Sequence, residues 1–206
     1  QGWSDGVLPQ YYLAEIYEKQ NNVWVKTLSF GADDYITTNW PSGVAISPDG
    51  NTAIATTADT TVSGRIQVAI RTQSGWQTLP AMTAIDLMSG LLPNADINLN
   101  PRGQQLAVDT LVFSNDGGSV YLGCSYASNK DDFYNVGESN GDGCVIKCDI
   151  LNGVLTPQQY LFASDGNFRT QFGWSINVSD INVIIGSYSD KASTNPNIKG
   201  EAYVFE

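Results

Sequence analysis

Residues 172–189 read FGWSINVSDINVIIGSYS, and two apolar runs meet there with only Ser-Asp and Ile-Asn between them. Each run is too short for a helix and rich in Ile, Val and aromatic residues, so the pair reads as a β-hairpin. Two earlier stretches say the same thing: LVFSNDGGSVYLGCSY at 111–126 and VAISPDGNTAIATTA at 44–58. Aligned on Ser47, Ser114 and Ser179, the three stand 67 and 65 residues apart. A period of that length is the mark of a repeat architecture.

Each unit opens on a hairpin whose SPDG or SNDG turn supplies an Asx side chain and a glycine able to take positive φ. A third strand follows, entered through glycine: GRIQVAIR (64–71), GCVIKCDI (143–150) and GEAYVFE (200–206). A fourth comes after a short turn, as GWQTLPAM and GVLTPQQYL. The segment 11–30, YYLAEIYEKQNNVWVKTLSF, has the form of a third strand, a turn at KQNN and a fourth strand. This gives about 13 strands in groups of two, four, four and three. The stretch 82–92, MTAIDLMSGLL, is the one place that could hide a short helix.

The fold class is therefore all-β, an array of four-stranded antiparallel blades of the β-propeller kind, three to four in number. The expected domain is a single one over 1–206, with blade pieces near 11–30, 42–82, 107–161 and 172–206. The inner hairpin at 172–189 is expected to be buried on both faces by neighbouring blades. Because three and a fraction blades do not close a ring, the open blades meet copies of the chain or another chain, or the chain is a piece of a longer polypeptide, or the termini share one blade. Gln1, with no leader-like segment after it, suggests a processed or trimmed chain.

The segment QFGWSINVSDINVIIGSYSD followed by GEAYVFE resembles the FG-GAP repeat, the blade unit of the integrin α-chain N-terminal propeller and of many bacterial and phage surface proteins. Phe172-Gly173 stands at the FG position, Gly186-Ser187-Tyr188 where the family has Gly-Ala-Pro, and Ala202–Phe205 matches the closing aromatic strand. The resemblance implies an extracellular, cell-surface or virion protein that works by protein contact. Such propellers often hold calcium in Asp-x-Asp-x-Asp-Gly loops. Here the matching turns, SPDGN, SNDGG and SDIN, carry one carboxylate each and are too short to wrap an ion.

Composition narrows the function further. A formal charge of −11 with scattered basic residues argues against nucleic acid or an anionic membrane as partner. With no apolar run near 18 residues, membrane insertion is not expected. The chain has no histidine, which removes Ser-His and Cys-His nucleophiles and makes zinc at Cys144-x3-Cys148 improbable. The expectation is a protein that is not an enzyme and needs no cofactor, with calcium as the one candidate ion. A carboxylate-only glycoside hydrolase is the remaining enzymatic alternative.

The candidate metal or partner residues are Asp131, Asp132, Glu138 and Asp142, in the acidic stretch 128–143, because long loops on rigid scaffolds tend to carry function. Tyr35 and Trp40 are candidates for stacking on a partner or glycan, which makes a lectin the second reading. Trp24 and Trp76 are expected to pack between blades. Cys124 can meet Cys144 or Cys148 if their strands are neighbours, either as a disulfide or as buried thiols. Asn177-Val178-Ser179 matches the glycosylation pattern inside a strand. The expected partners are a second copy or another protein chain at the open blade edges, with a surface glycan as the alternative.

Overall fold

The structure is a computed structural model, and it describes residues 12–31, 40–58, 64–84, 86–87, 108–125, 127, 143–164, 171–188 and 200–206. Fourteen strands form four antiparallel sheets among these residues. Sheet 1 is the hairpin β1 (Tyr12–Gln20) and β2 (Val23–Gly31). Sheet 2 runs β3 (Trp40–Ile46), β4 (Thr52–Ala58), β5 (Arg65–Thr72) and β6 (Gly75–Thr78), and β7 (Met82–Thr83) also pairs with β5. Sheet 3 holds β8 (Thr110–Phe113), β9 (Ser119–Cys124), β10 (Cys144–Leu151) and β11 (Val154–Leu161). Sheet 4 holds β12 (Phe172–Val178), β13 (Val183–Ser187) and β14 (Glu201–Phe205).

Every sheet is a meander in chain order, as a propeller blade is, and the repeat read from the serines is a repeat of hydrogen-bond register. Ile46 pairs with Ala53 in sheet 2, and Phe113 with Val120 in sheet 3. The turns between them are built alike. Gly50 N–H donates to Ser47 O, and Gly117 N–H to Ser114 O, with φ of 71° and 74° at the two glycines. Each serine hydroxyl donates to the aspartate two residues on, Asp49 at 2.5 Å and Asp116 at 2.6 Å. The same hydroxyl accepts the N–H of Thr52 or Ser119. The third turn is shorter, closed by Asn182 N–H on the Ser179 hydroxyl at 3.0 Å.

Between β1 and β2 the turn is Asn21-Asn22, and between β10 and β11 it is Asn152-Gly153. Both residues of each pair have positive φ, the backbone of a type I′ hairpin turn, which Asn and Gly tolerate better than other residues. The stretch at 82–92 does contain a helical start. Thr83 and Asp86 cap it reciprocally, Thr83 N–H and hydroxyl donating to the Asp86 carboxylate and Asp86 N–H to the Thr83 hydroxyl. Thr83 nevertheless also belongs to β7, which raises the strand count to fourteen.

The sheets stack in the order 1, 2, 3, 4. Ile16, Leu28 and Phe30 of sheet 1 pack on Ala53, Ala55 and Ala69 of sheet 2. The opposite face of sheet 2, with Ile54, Ile66 and Val68, packs on Leu111, Val120, Leu122 and Ile146 of sheet 3. The far face of sheet 3, with Tyr121, Val145 and Leu161, packs on Phe172, Val183 and Ile185 of sheet 4. Phe172 is fully buried, with Tyr203 and Phe205 edge-on to its ring at 5.2 and 6.0 Å. Burial of such a ring contributes up to about 3 kcal/mol.

Glycine lets sheets 3 and 4 touch through their backbones. A methyl group at Gly123 would lie 2.1 Å from Gly173 O, and one at Gly143 would lie 2.1 Å from Phe172 O. Gly143 and Phe172 also form a parallel bridge.

Three expectations need correction. Sheet 1 does not share a blade with sheet 4; its apolar face finds the alanine-rich face of sheet 2, so the two sheets are separate. The hairpin β12–β13 is buried on one face only, since Ile184, between Val183 and Ile185, points away from sheet 3 and is exposed. Trp24 does not pack between sheets either. Opposite Lys19, it lies on the outer face of sheet 1 and is exposed.

Candidate interaction surface

The outer face of sheet 4 follows from strand alternation. Val183 and Ile185 point at sheet 3, so Ile184 points out, and Asn177 and Val204 stand opposite it on either side. Ile184, Val204 and Trp174 are all exposed. Trp174 follows Gly173, whose φ of 94° accompanies a break in the register between Phe172 and Ser175, and its indole meets the Tyr188 ring at 5.6 Å with a 34° tilt. The result is a mixed face, Ile184 and Val204 beside Ser175 and Asn177, with an exposed aromatic pair nearby, a surface able to meet another sheet or a flat partner. Asn177 lies in β12 as expected but is exposed on this face.

The outer face of sheet 1 sets exposed Tyr17 and Trp24 among charged residues. Glu15 there accepts from Tyr17 Oη at 2.7 Å and from Lys26 Nζ at 2.9 Å. These bonds, the Tyr17 hydroxyl first, hold its carboxyl below the usual range. Across the sheet, Glu18 turns inward to sheet 2, where Arg71 Nη2 reaches it at 2.7 Å and Trp76 Nε1 at 2.9 Å. Trp76 therefore does lie between sheets, as expected.

The turn aspartates are engaged within their own turns. Asp49 and Asp116 are lowered chiefly by the serine hydroxyls and next by backbone N–H groups. Asn115 Nδ2 also donates to Asp180 at 2.7 Å, which ties the turns of sheets 3 and 4 together. Asp109 differs. Burial pushes its carboxyl up, against the lowering effect of the Ser125 hydroxyl and N–H that donate to it.

Cys124 and Cys144 stand opposite each other on β9 and β10, and all three cysteines are free and buried. Ile150 N–H donates to Gly118 O, and alternation from there makes the Cys124–Cys144 pair a hydrogen-bonded one. Cβ atoms at such positions are about 5.5 Å apart, beyond the roughly 3.5–4.5 Å a disulfide spans. The bond to Cys144 and burial push the Cys124 thiol well up, and burial pushes Cys148 up to about 12.

Of the residues singled out from sequence, Asp131, Asp132, Glu138, Asp142 and Tyr35 lie outside the described residues. Trp40 opens β3, opposite Ala58, and only its backbone is described. Among the described residues, no group of three or more Cys, Asp or Glu side chains could hold a metal ion. No helix there is long and apolar enough to cross a membrane. The aromatic pair Trp174–Tyr188 and the open face beside it were missed, although the FG motif adjoining Trp174 was in view.

Comparison with known proteins follows the same lines. Residues 155–205, from β11 through β14, match the FG-GAP repeat family. No curated protein matches the chain in sequence. Among solved structures, a putative 6-phosphogluconolactonase of Bacteroides fragilis is similar over 93% of this chain and 47% of its own, at 13% identity and a TM-score of 0.51. The β-propeller domain of Cps50 (Swd1) from Myceliophteria thermophila is similar over 96% of this chain and 51% of its own, at 9% identity and a TM-score of 0.49. The chain thus spans about half the length of these structures.

Proposed function

With residues 155–205 an FG-GAP repeat in a stack of propeller-type sheets, we propose that this chain is a non-enzymatic structural or adhesive module of an extracellular assembly or virion surface, working through protein–protein contacts. The observation that carries the reading is the open outer face of sheet 4, where Ile184 and Val204 are exposed beside the Trp174–Tyr188 pair. Exposed aliphatic and aromatic side chains set among polar ones suit a protein partner.

The chemistry of the described residues agrees with that reading. Asp49 and Asp116 are held in their turns, and Asp109 is buried against Ser125. The likeness to a 6-phosphogluconolactonase is one of fold, at 13% identity. The second reading, a carbohydrate-binding module, is favoured by the Trp174–Tyr188 pair, since tilted exposed rings can stack on a sugar.

The test is a panel of 6-phosphogluconolactone, ester and glycoside substrates beside a glycan array. The proposed module turns over none of them and binds no glycan at millimolar ligand. Saturable turnover that disappears on unfolding would overturn the reading. Glycan binding lost in Trp174→Ala would move the assignment to the second one.

A further inference from the structure

Equivalent positions in the repeat have opposite exposures, and the difference locates a missing contact. Superimposing the registers makes Val44 and Ile46 of sheet 2 equivalent to Leu111 and Phe113 of sheet 3. Leu111 and Phe113 are 8% and 5% exposed because sheet 2 covers them, whereas Val44 and Ile46 are 65% and 55% exposed. On the opposite face, Tyr121 of sheet 3 is equivalent to Ile184 of sheet 4. Tyr121 is 8% exposed under sheet 4, and Ile184 is 49% exposed. The inner part of one face of sheet 2 and the outer face of sheet 4 are thus two halves of one inter-sheet contact. They lie at opposite ends of the stack.

We propose that a second copy of this chain completes the contact, the outer face of sheet 4 in each copy packing on the Val44–Ile46 face of sheet 2 in the other. Sheet 1 covers sheet 2 over Ala53, Ala55 and Ala69 and leaves Val44 and Ile46 for an inner hairpin to cover. Sheet 4 of one copy then lies beside sheet 1 of the other on that face of sheet 2, and the two equivalent junctions close the pair.

The inference rests on the protein-contact reading above and names its partner. The full 206-residue chain is measured by light scattering at micromolar concentration. The expected mass is about 44 kDa, twice the 22.2 kDa of one chain. A monomer, or a ladder of larger species, would overturn the proposal. Ile184→Arg and Val44→Arg, both at exposed positions, are each expected to give folded monomers with an unchanged far-ultraviolet spectrum, and Leu151→Arg, exposed in β10, a dimer. Mixing the two monomeric variants is expected to restore pairs, because one of the two junctions then has neither substitution. Folded variants that stay dimeric, or a mixture that stays monomeric, would refute the arrangement. A monomer that binds a different protein ends this inference and leaves the contact reading intact; a dimer that turns over substrate does the reverse.

Discussion

Gly143→Ala tests the close approach of sheets 3 and 4. The added methyl group would lie 2.1 Å from Phe172 O and 2.5 Å from Phe172 N, both backbone atoms that no side-chain rotation can move away. The residue also has φ of 80°, which costs an L-residue about 1–2 kcal/mol. Forcing extra volume into a packed contact adds about 1–3 kcal/mol, so the total is about 2–5 kcal/mol. Gly50→Ala is the control, with φ of 71° and nothing within 4 Å of the new methyl group. Its cost is the conformational part alone, about 1–2 kcal/mol. Gly123→Ala isolates the other part, with a methyl group 2.1 Å from Gly173 O. In urea unfolding followed by tryptophan fluorescence, Gly143→Ala is expected to lower the midpoint by about 1 M or more, with Gly50→Ala shifting it by about half as much or less. Equal midpoints for Gly143→Ala and Gly50→Ala would show that the two sheets do not meet through backbone at this point.

Other perturbations follow from the same contacts. The raised pKa of Asp109 means that the unfolded chain gives up this proton more readily than the folded one, so its ionisation costs stability as pH rises through the window above the usual carboxylate value. Asp109→Asn, measured by urea unfolding at several pH values, is therefore expected to gain stability relative to the parent as pH rises, and a difference independent of pH would contradict this. The Cys148 thiol, pushed up to about 12, leaves a thiolate fraction at pH 8 on the order of one in ten thousand. All three thiols should resist a disulfide reagent until urea unfolds the chain, and fast labelling of the native protein would refute the burial. Glu18→Ala removes acceptors for both Arg71 and Trp76 between sheets 1 and 2. A loss of about 1–2 kcal/mol is expected, with earlier proteolysis at the β1–β2 hairpin, and an unchanged digestion pattern would count against that docking.

The repeat could be read from sequence because its turn chemistry is local. Ser47 and Asp49, like Ser114 and Asp116, are close enough along the chain to close their own turns, and the glycines before β5, β10 and β14 mark strand starts. What depends on neighbouring sheets was harder to see. The run Val183-Ile184-Ile185 reads as buried on both faces, and only its place at the end of the stack leaves Ile184 exposed. Trp24 and Trp76 occupy similar places after a turn, yet register sends one outward and the other against Glu18. The roles of Gly123 and Gly143 depend on a sheet that arrives many residues later. Charge and loop length drew attention to 128–143, whereas the surface that emerged is made of apolar residues on regular strands.

The contact role of sheet 4 can be tested most directly by hydroxyl-radical footprinting of Trp174, Tyr188 and Ile184 across a range of chain concentrations, with Leu151 as the exposed reference. Modification of the three relative to Leu151 is expected to fall as concentration rises and the outer face is covered. Constant modification of all four residues, from nanomolar to high micromolar chain, would mean that the face stays open and that self-contact is not its function.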